Sequence, residues 1–290
     1  MAARKTVLIT GCSDGGIGSA LALAIQRRGF HVFATARDLS KMGKLKELSN
    51  VTLLKLDIVK SDDIKVAVEA VSQHPETNGT LDCLISNAGR NHFMPILDEN
   101  LDTVRGLFEI NFLGPIALTQ AFAPFLIKAK GMAVYIASTS GHLNIPWMGT
   151  YAASKSSIEI VADTLRLELD PFGVGVLEVV TGAVKSLGQT YFDDFALPQE
   201  SVRSRLYKRI EATIARRAQG DDGLPRMDTM VYANAVVDDI MNRTVGRVWY
   251  GTYADQVKMS TTASGVPQSV MDKGAVKGTG LDELAESVAK

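Results

Sequence analysis

The sequence predicts an α/β fold: a single-domain, doubly wound parallel sheet with helices on both faces. Three observations predict it. Short, nearly continuous apolar runs alternate along the chain with longer segments whose apolar residues recur at helical spacing, the pattern of buried parallel strands and their covering helices. The first run, Thr6–Thr10, feeds a glycine-rich turn, Gly11-Cys-Ser-Asp-Gly-Gly-Ile-Gly18, and then a helical pattern at Ile17, Leu21, Ala24 and Ile25. The chain has 290 residues, 46% of them hydrophobic, enough for one sizeable core.

The formal net charge of -1 makes no case for nucleic acid as a partner. Cys12 and Cys83 are the only cysteines and read as free thiols. The opening MAARKTVLIT has too short an apolar run for a signal peptide, and no apolar run reads as a membrane span. A soluble cytoplasmic enzyme is the expectation.

Strand, glycine turn and helix together form the context of a dinucleotide site. Glycines let the backbone approach a pyrophosphate, and a helix N-terminus supplies N–H groups and a positive dipole. The second strand is read over Gly29–Arg37 and ends Ala34-Thr35-Ala36-Arg37. An acidic residue near this strand's end binds a ribose 2′-hydroxyl in NAD-using folds. Here a guanidinium arrives first, suited to a 2′-phosphate, with Asp38 directly after it. This favours NADPH over NAD.

Val51–Ile58 is the third strand, Asp62–His74 a helix and Leu81–Ser86 the fourth strand, followed by Asn87-Ala88-Gly89. Leu101–Lys128 reads as one long helix, with Pro115 as a source of a kink. Ala133–Ala137 is the fifth strand, ending at Ser138. A helix from Tyr151 to about Asp170 places Tyr151 and Lys155 on one face, because residues four apart are neighbours. Gly175–Val180, a helix over Val231–Met241 and a strand over Arg247–Tyr250 complete the fold. Residues 251–290 read as a tail, with Leu281, Leu284, Ala285 and Val288 as a small amphipathic turn.

The ordered set TGCSDGGIG, Asn87-Ala88-Gly89, Ser138 and Tyr151-Ala-Ala-Ser-Lys155 resembles the classical short-chain dehydrogenase/reductase family over about Lys5–Tyr250. The resemblance implies a Rossmann-like fold and a catalytic tetrad of Asn111, Ser138, Tyr151 and Lys155. It implies cofactor contacts at Gly11, Ser13, Gly16, Ile17, Gly18, Arg37, Asp57, Ile58, Asn87, Ala88, Gly89, Tyr151, Lys155, Val184 and Ser186. Asp57 and Ile58 would flank the adenine, and Lys155 would also bind the nicotinamide ribose.

This chain departs from the family pattern in three places. Its glycine turn is one residue longer, leaving open which of Ser13, Asp14 and Gly15 meets phosphate. Ser86 stands for an Asn, and Thr181-Gly182 for Pro-Gly. The resemblance also places a variable substrate lid at about 187–225. Candidate substrate-pocket residues are His92, His142, Trp147, Tyr191 and Phe192, and no metal-ligand cluster is expected. TGCSDGGIG, ATAR, VTGAVKS and the tail residues Pro267, Asp272 and Gly280-Leu281 are similar to fungal NADPH-dependent 1-acyldihydroxyacetone phosphate reductases and their relatives.

The implied reaction is reduction of a ketone by NADPH, with Tyr151 as general acid and Ser138 holding the substrate oxygen. The cation at Lys155 and the nicotinamide's positive charge are together expected to favour the phenolate. An NAD-dependent alcohol dehydrogenase, a family member repurposed to imine reduction or cyclisation, and a non-catalytic cofactor-binding scaffold remain as alternatives. A homodimer or homotetramer is expected by analogy.

Overall fold

The four central strands carry side chains that are buried throughout: β1 (Thr6–Thr10), β2 (His31–Ala36), β4 (Cys83–Ser86) and β5 (Met132–Ile136). Burial on both faces requires helices on both faces. The computed structural model describes residues 4–192, 194–199, 204–262, 267, 269, 270 and 273, without the side chains of 189–191 and 204–205. β3 (Val51–Lys55) and β7 (Gly246–Tyr250) are half-buried sheet edges, and β6 (Gly175–Thr181) lies inside β7. All seven strands are parallel, in the order β3-β2-β1-β4-β5-β6-β7. Leu8 of β1 registers with Phe33 on one side and Leu84 on the other.

The helices are α1 (Ile17–Arg27), α2 (Gly43–Lys46), α3 (Ser61–Gln73), α4 (Leu101–Phe108), α5 (Gly114–Ala129), α6 (Gly149–Leu169), α7 (Ser204–Tyr207), α8 (Glu211–Ala218), α9 (Thr229–Met241) and α10 (Ala254–Thr261). Alternation along β1 sends Val7 and Ile9 to one face and Leu8 to the other. The first face packs Leu21 and Ile25 of α1 with Val236 and Val237 of α9. The second packs Val71 of α3, Phe122 and Leu126 of α5 and Ile158 of α6. Each such fully buried side chain contributes about 1.5–3 kcal/mol.

The expected single helix over Leu101–Lys128 is broken by a π-helical turn, Glu109–Leu113. Pro115 sits in the first turn of α5, where its missing N–H is no loss. By length and composition alone Leu101–Ala129 is apolar enough to cross a membrane, but the π turn interrupts it and α5 packs on the sheet.

The chain beyond Tyr250 is not simply a tail. Ala254 and Val257 of α10 are buried with Trp249 and Val180. The expected amphipathic turn at 281–288 lies outside the described residues.

The strand order reverses between β1 and β4, opening a crevice at the carboxyl ends of the strands.

Candidate active site

A cleft of about 880 Å³ occupies that crevice. Its floor is made by strand ends and the turns that follow them. Gly11, Ser13, Gly16 and Ile17 come from the turn after β1, and Ala36 and Arg37 from the end of β2. Asp57 and Ile58 follow β3, Asn87, Ala88 and Gly89 follow β4, and Ser138 follows β5. Val184 and Ser186 follow β6, while Tyr151 and Lys155 reach in from α6.

The longer glycine turn sorts its own residues. Gly11 and Gly15 take positive φ, 74° and 80°, which a side chain would strain. The Asp14 carboxylate accepts from the Lys44 N–H at the start of α2, so it is turned away from the cleft. Ser13 lines the cleft. Cys12 is fully buried, its thiol pushed up to about 12 by burial. Gly16 caps α1 with no side chain, leaving the helix's first N–H groups to a ligand. Gly18 does not line the cleft. It allows α1 to approach Gly11 and Asn87, since a Cβ there would lie 2.4 Å from Gly11 O and 2.5 Å from Asn87 Nδ2.

At the end of β2, the Asp38 carboxylate accepts from the Ser40 N–H (3.0 Å) and Oγ (2.7 Å), capping its own turn. These bonds hold it below the usual carboxylate range. Among the described residues no Arg37–Asp38 ion pair forms, and the exposed Arg37 lines the cleft. Asn87 uses its donors within the protein. Its N–H reaches Thr10 Oγ1 at 3.0 Å, and its Nδ2 reaches Thr10 O at 2.7 Å and Gly11 O at 3.1 Å. It ties β4 to the glycine turn.

Asn111 is buried in the π turn and does not line the cleft. Its Oδ1 accepts from the Arg90 N–H at 2.8 Å, and its Nδ2 donates to Arg90 O at 2.9 Å and Ser154 Oγ at 3.0 Å. It joins the strand-end loop to α6. Gly89 leaves open the space between the two neighbouring polar groups, for its Cβ would lie 3.3 Å from Asn111 Oδ1 and 3.5 Å from Lys155 Nζ. Lys155 is 8% exposed and donates from Nζ to Ile136 O at 2.9 Å. Burial brings its ammonium down to about 8, against the opposing pull of Glu159. Ser138 Oγ accepts from the Ser140 N–H at 3.2 Å and hydrogen-bonds Tyr151.

Lys155 is not among the groups that shift Tyr151 in this structure. Burial raises the phenol above its usual range, the Ser138 bond opposes this, and Glu159 adds to it. A phenol that keeps its proton near neutrality is suited to acting as an acid.

The expected substrate-pocket residues are corrected by the fold. His92 Nε2 lies 2.7 Å from Glu99 Oε2, and Glu99 Oε1 accepts from Thr150 Oγ1 at 2.6 Å, so His92 braces the start of α6. His142 stands 2.9 Å from Glu159 Oε2 and 4.8 Å, ring to ring, from Trp249. Trp147 packs edge-on against Tyr207 at 4.9 Å. Phe192 joins Phe93, Leu197, Ile214 and Ala218 in a separate apolar cluster, where burying large rings against one another removes more surface than lining an open cleft. None of these four lines the cleft. The Tyr191 side chain lies outside the described residues.

The walls are instead Leu143, Ile145 and Met148 after β5, Leu187, Asp222, Leu224 and Arg226 from the lid region, and Thr252, Tyr253 and Val257 around the start of α10. Met148 lies three residues before Tyr151. The others come from segments with no shared motif.

The family model for short chain dehydrogenases matches residues 5–194. The chain is 46% identical over 251 residues to the short-chain dehydrogenase ptmH of Penicillium ochrochloron, covering 87% of this chain and 90% of that one. It is 38% identical over 206 residues to an NADPH-dependent 1-acyldihydroxyacetone phosphate reductase of Schizosaccharomyces pombe, covering 70% and 69%. Among solved structures, a short-chain dehydrogenase from Streptomyces avermitilis superposes with a TM-score of 0.76 at 25% identity, covering 96% of this chain and 99% of that one. With its parallel seven-stranded sheet and its matched residues, this chain belongs to the short-chain dehydrogenase/reductase family, oxidoreductases that use nicotinamide cofactors.

Proposed function

We propose that this chain is an NADPH-dependent reductase of apolar ketones. The observation that carries the reading is the convergence of Ser138, Tyr151 and Lys155 on the floor of a cleft whose far end is lined by Arg37. The donor set fits the cofactor. An uncapped helix N-terminus and Ser13 suit a pyrophosphate, and the Arg37 guanidinium suits a 2′-phosphate, with Asp38 occupied by Ser40. Asp57 and Ile58 would flank the adenine, and Val184 and Ser186 would meet the nicotinamide end. The relative in Schizosaccharomyces pombe, NADPH-dependent by name, supports the same preference.

When bound, the nicotinamide supplies hydride. The protein's own residues do the rest. The Ser138 hydroxyl donates to the carbonyl oxygen and steadies the negative charge that develops on it. The Tyr151 phenol, kept protonated by burial, gives its proton to that oxygen. Lys155, pinned to Ile136 O, sets a positive charge one turn along α6 from the phenol. Asn111 holds the Arg90 backbone and Ser154, fixing the loop and helix between which the reaction takes place. Leu143, Ile145, Met148, Leu187, Leu224 and Val257 favour a substrate with apolar groups around its carbonyl.

A substrate bearing phosphate beside an acyl chain is the second reading, suggested by the same relative's name. It is weaker because Arg226, the lid cation on the wall, is held by Asp222 at 2.9 Å and 3.1 Å.

The test is titration of the protein with NADPH and NADH, followed by nicotinamide fluorescence, for wild type and Arg37→Ala. NADPH should bind at least about tenfold tighter than NADH, and the variant should lose that difference. Equal binding of both by wild type would replace this reading with an NAD-dependent alcohol dehydrogenase.

A further inference from the structure

Behind Lys155, away from the cleft, lies a buried charged cluster that the proposed mechanism does not use. Glu159 is one turn beyond Lys155 on α6, 3% exposed. Glu178 of β6 is 1% exposed. One ligand atom each of His142, Glu159 and Glu178 lie within 4.8 Å of one another. Glu159 Oε1 and Glu178 Oε1 are buried without hydrogen-bond partners among the described residues, while His142 Nε2 faces Glu159 Oε2 at 2.9 Å. Gly141 packs closely over Glu159, since a Cβ there would lie 2.7 Å from Glu159 Oε1.

The groups facing this cluster are Tyr151, Lys155, Asp163 and Arg166 on α6, His142 after β5, Glu178 on β6 and Arg247 on β7. Arg247 binds Glu178 Oε2 at 2.9 Å and Asp163 Oδ2 at 2.8 Å, and Arg166 lies 3.7 Å from Asp163.

Charge balance decides what the cluster does. Lys155, Arg166 and Arg247 face the three carboxylates Glu159, Asp163 and Glu178, so the cluster is balanced without a further ion, and Glu159 is the carboxylate with no arginine contact among the described residues. Burial pushes Glu178 up to about 8, against the pull of Arg247. A divalent cation on His142, Glu159 and Glu178 would instead add charge beside Arg247 and Lys155. With Asp163 and Glu178 both bound to Arg247, Glu159, buried one turn from Lys155 on α6, is the carboxylate left to act on it.

We propose that Glu159 is a positioning residue that keeps the buried Lys155 ammonium charged, with His142 and Glu178 forming the pocket that seats it. The proposal rests on the reading of Tyr151 and Lys155 as the acid–base pair. Two consequences follow from the geometry. The Lys155 side chain has left water, so its charge depends on a nearby anion. Its own backbone partner, Ile136 O, is neutral, which makes Glu159 the charged group that answers it.

The experiment is the pH profile of ketone reduction by wild type, Glu159→Gln, Glu159→Asp and Tyr151→Phe, with thermal melting to confirm folding. Wild type should lose rate as pH rises through the Lys155 value of about 8. In Glu159→Gln that alkaline limb should move down by about one pH unit or more, and Glu159→Asp should lie between the two. A role in packing alone would lower the melting temperature or the rate at every pH and leave the limb where it is. Superimposed limbs for wild type and Glu159→Gln overturn the proposal. Should Glu159→Gln yield no folded protein, Glu159→Asp decides: a limb below wild type supports the proposal and an unmoved one overturns it. Full activity in Tyr151→Phe would instead overturn the acid–base reading itself, whatever Glu159 does.

Discussion

The floor and the walls of the cleft are built in different ways. On the floor the polar side chains at the reacting end are tied down: Asn87 to Thr10, Lys155 to Ile136 and Ser138 to the Ser140 N–H, with Tyr151 held through Ser138. These bonds leave each group one position, fixed by the sheet. The walls are mostly apolar side chains from the segment after β5, the lid region and the start of α10, with the Arg226–Asp222 pair among them. Packing tolerates substitution at similar volume, whereas a buried polar group that loses its partner does not. The floor therefore sets the chemistry shared by the family, and the walls set which ketone is taken.

The largest expected effects come from breaking the floor. Gly18→Ala would drive a methyl group to within 2.4 Å of Gly11 O, so it should abolish nicotinamide binding or folding, read by fluorescence titration and circular dichroism. Lys155→Met should lower kcat by roughly 10²–10⁴-fold, the range of general acid–base contributions, with the melting temperature preserved. Ser138→Ala should lower kcat by a comparable 10²–10³-fold, roughly the loss of one donor to a developing oxyanion. A wall change should be milder and selective. Met148→Ala should alter kcat/KM among ketones of different bulk by about 10-fold or more while leaving NADPH affinity unchanged.

The smallest effects are on stability against pH, and they arise away from the cleft. Burial, then His74, hold His31 down to about 4 from its ordinary 6.5. Between those values the unfolded chain binds the extra proton, so stability should fall as pH drops from 6.5 toward 4. Glu178 works in the opposite direction. Its folded carboxyl keeps a proton up to about 8 while the unfolded one releases it near 4.5, so stability should fall as pH rises across that interval. Melting curves across pH should show both slopes, and Glu178→Gln should flatten the second.

The contrast between floor and walls also explains what the sequence revealed. Tyr151 and Lys155 were legible because helical spacing puts them on one face and the family motifs before them single that pair out, and Ser138 because the resemblance marks the serine at this strand's end. Asn111 was legible as a residue but not as a structure. The π turn around it forms because its side chain satisfies the Arg90 backbone 21 positions earlier, a contact that local propensity does not encode. His92 and His142 read as pocket residues by position. Burial beside Glu99 and Glu159 turned both into braces, and a signal was present in those acids, seven and 17 residues along the chain. Phe192 and Trp147 went where other rings and apolar side chains could cover them. The wall made by Thr252, Tyr253 and Val257 was hidden because α10 follows the last strand in a polar stretch with no motif.

The central claim is that the floor of this cleft reduces a ketone with Tyr151 as the acid. Stopped-flow mixing of an apolar ketone with protein preloaded with NADPH, for wild type and Tyr151→Phe, tests it most directly. The account predicts that both proteins bind NADPH alike, and that the single-turnover loss of nicotinamide absorbance is slower in the variant by about 10²–10⁴-fold. Equal rates in the two proteins would contradict it.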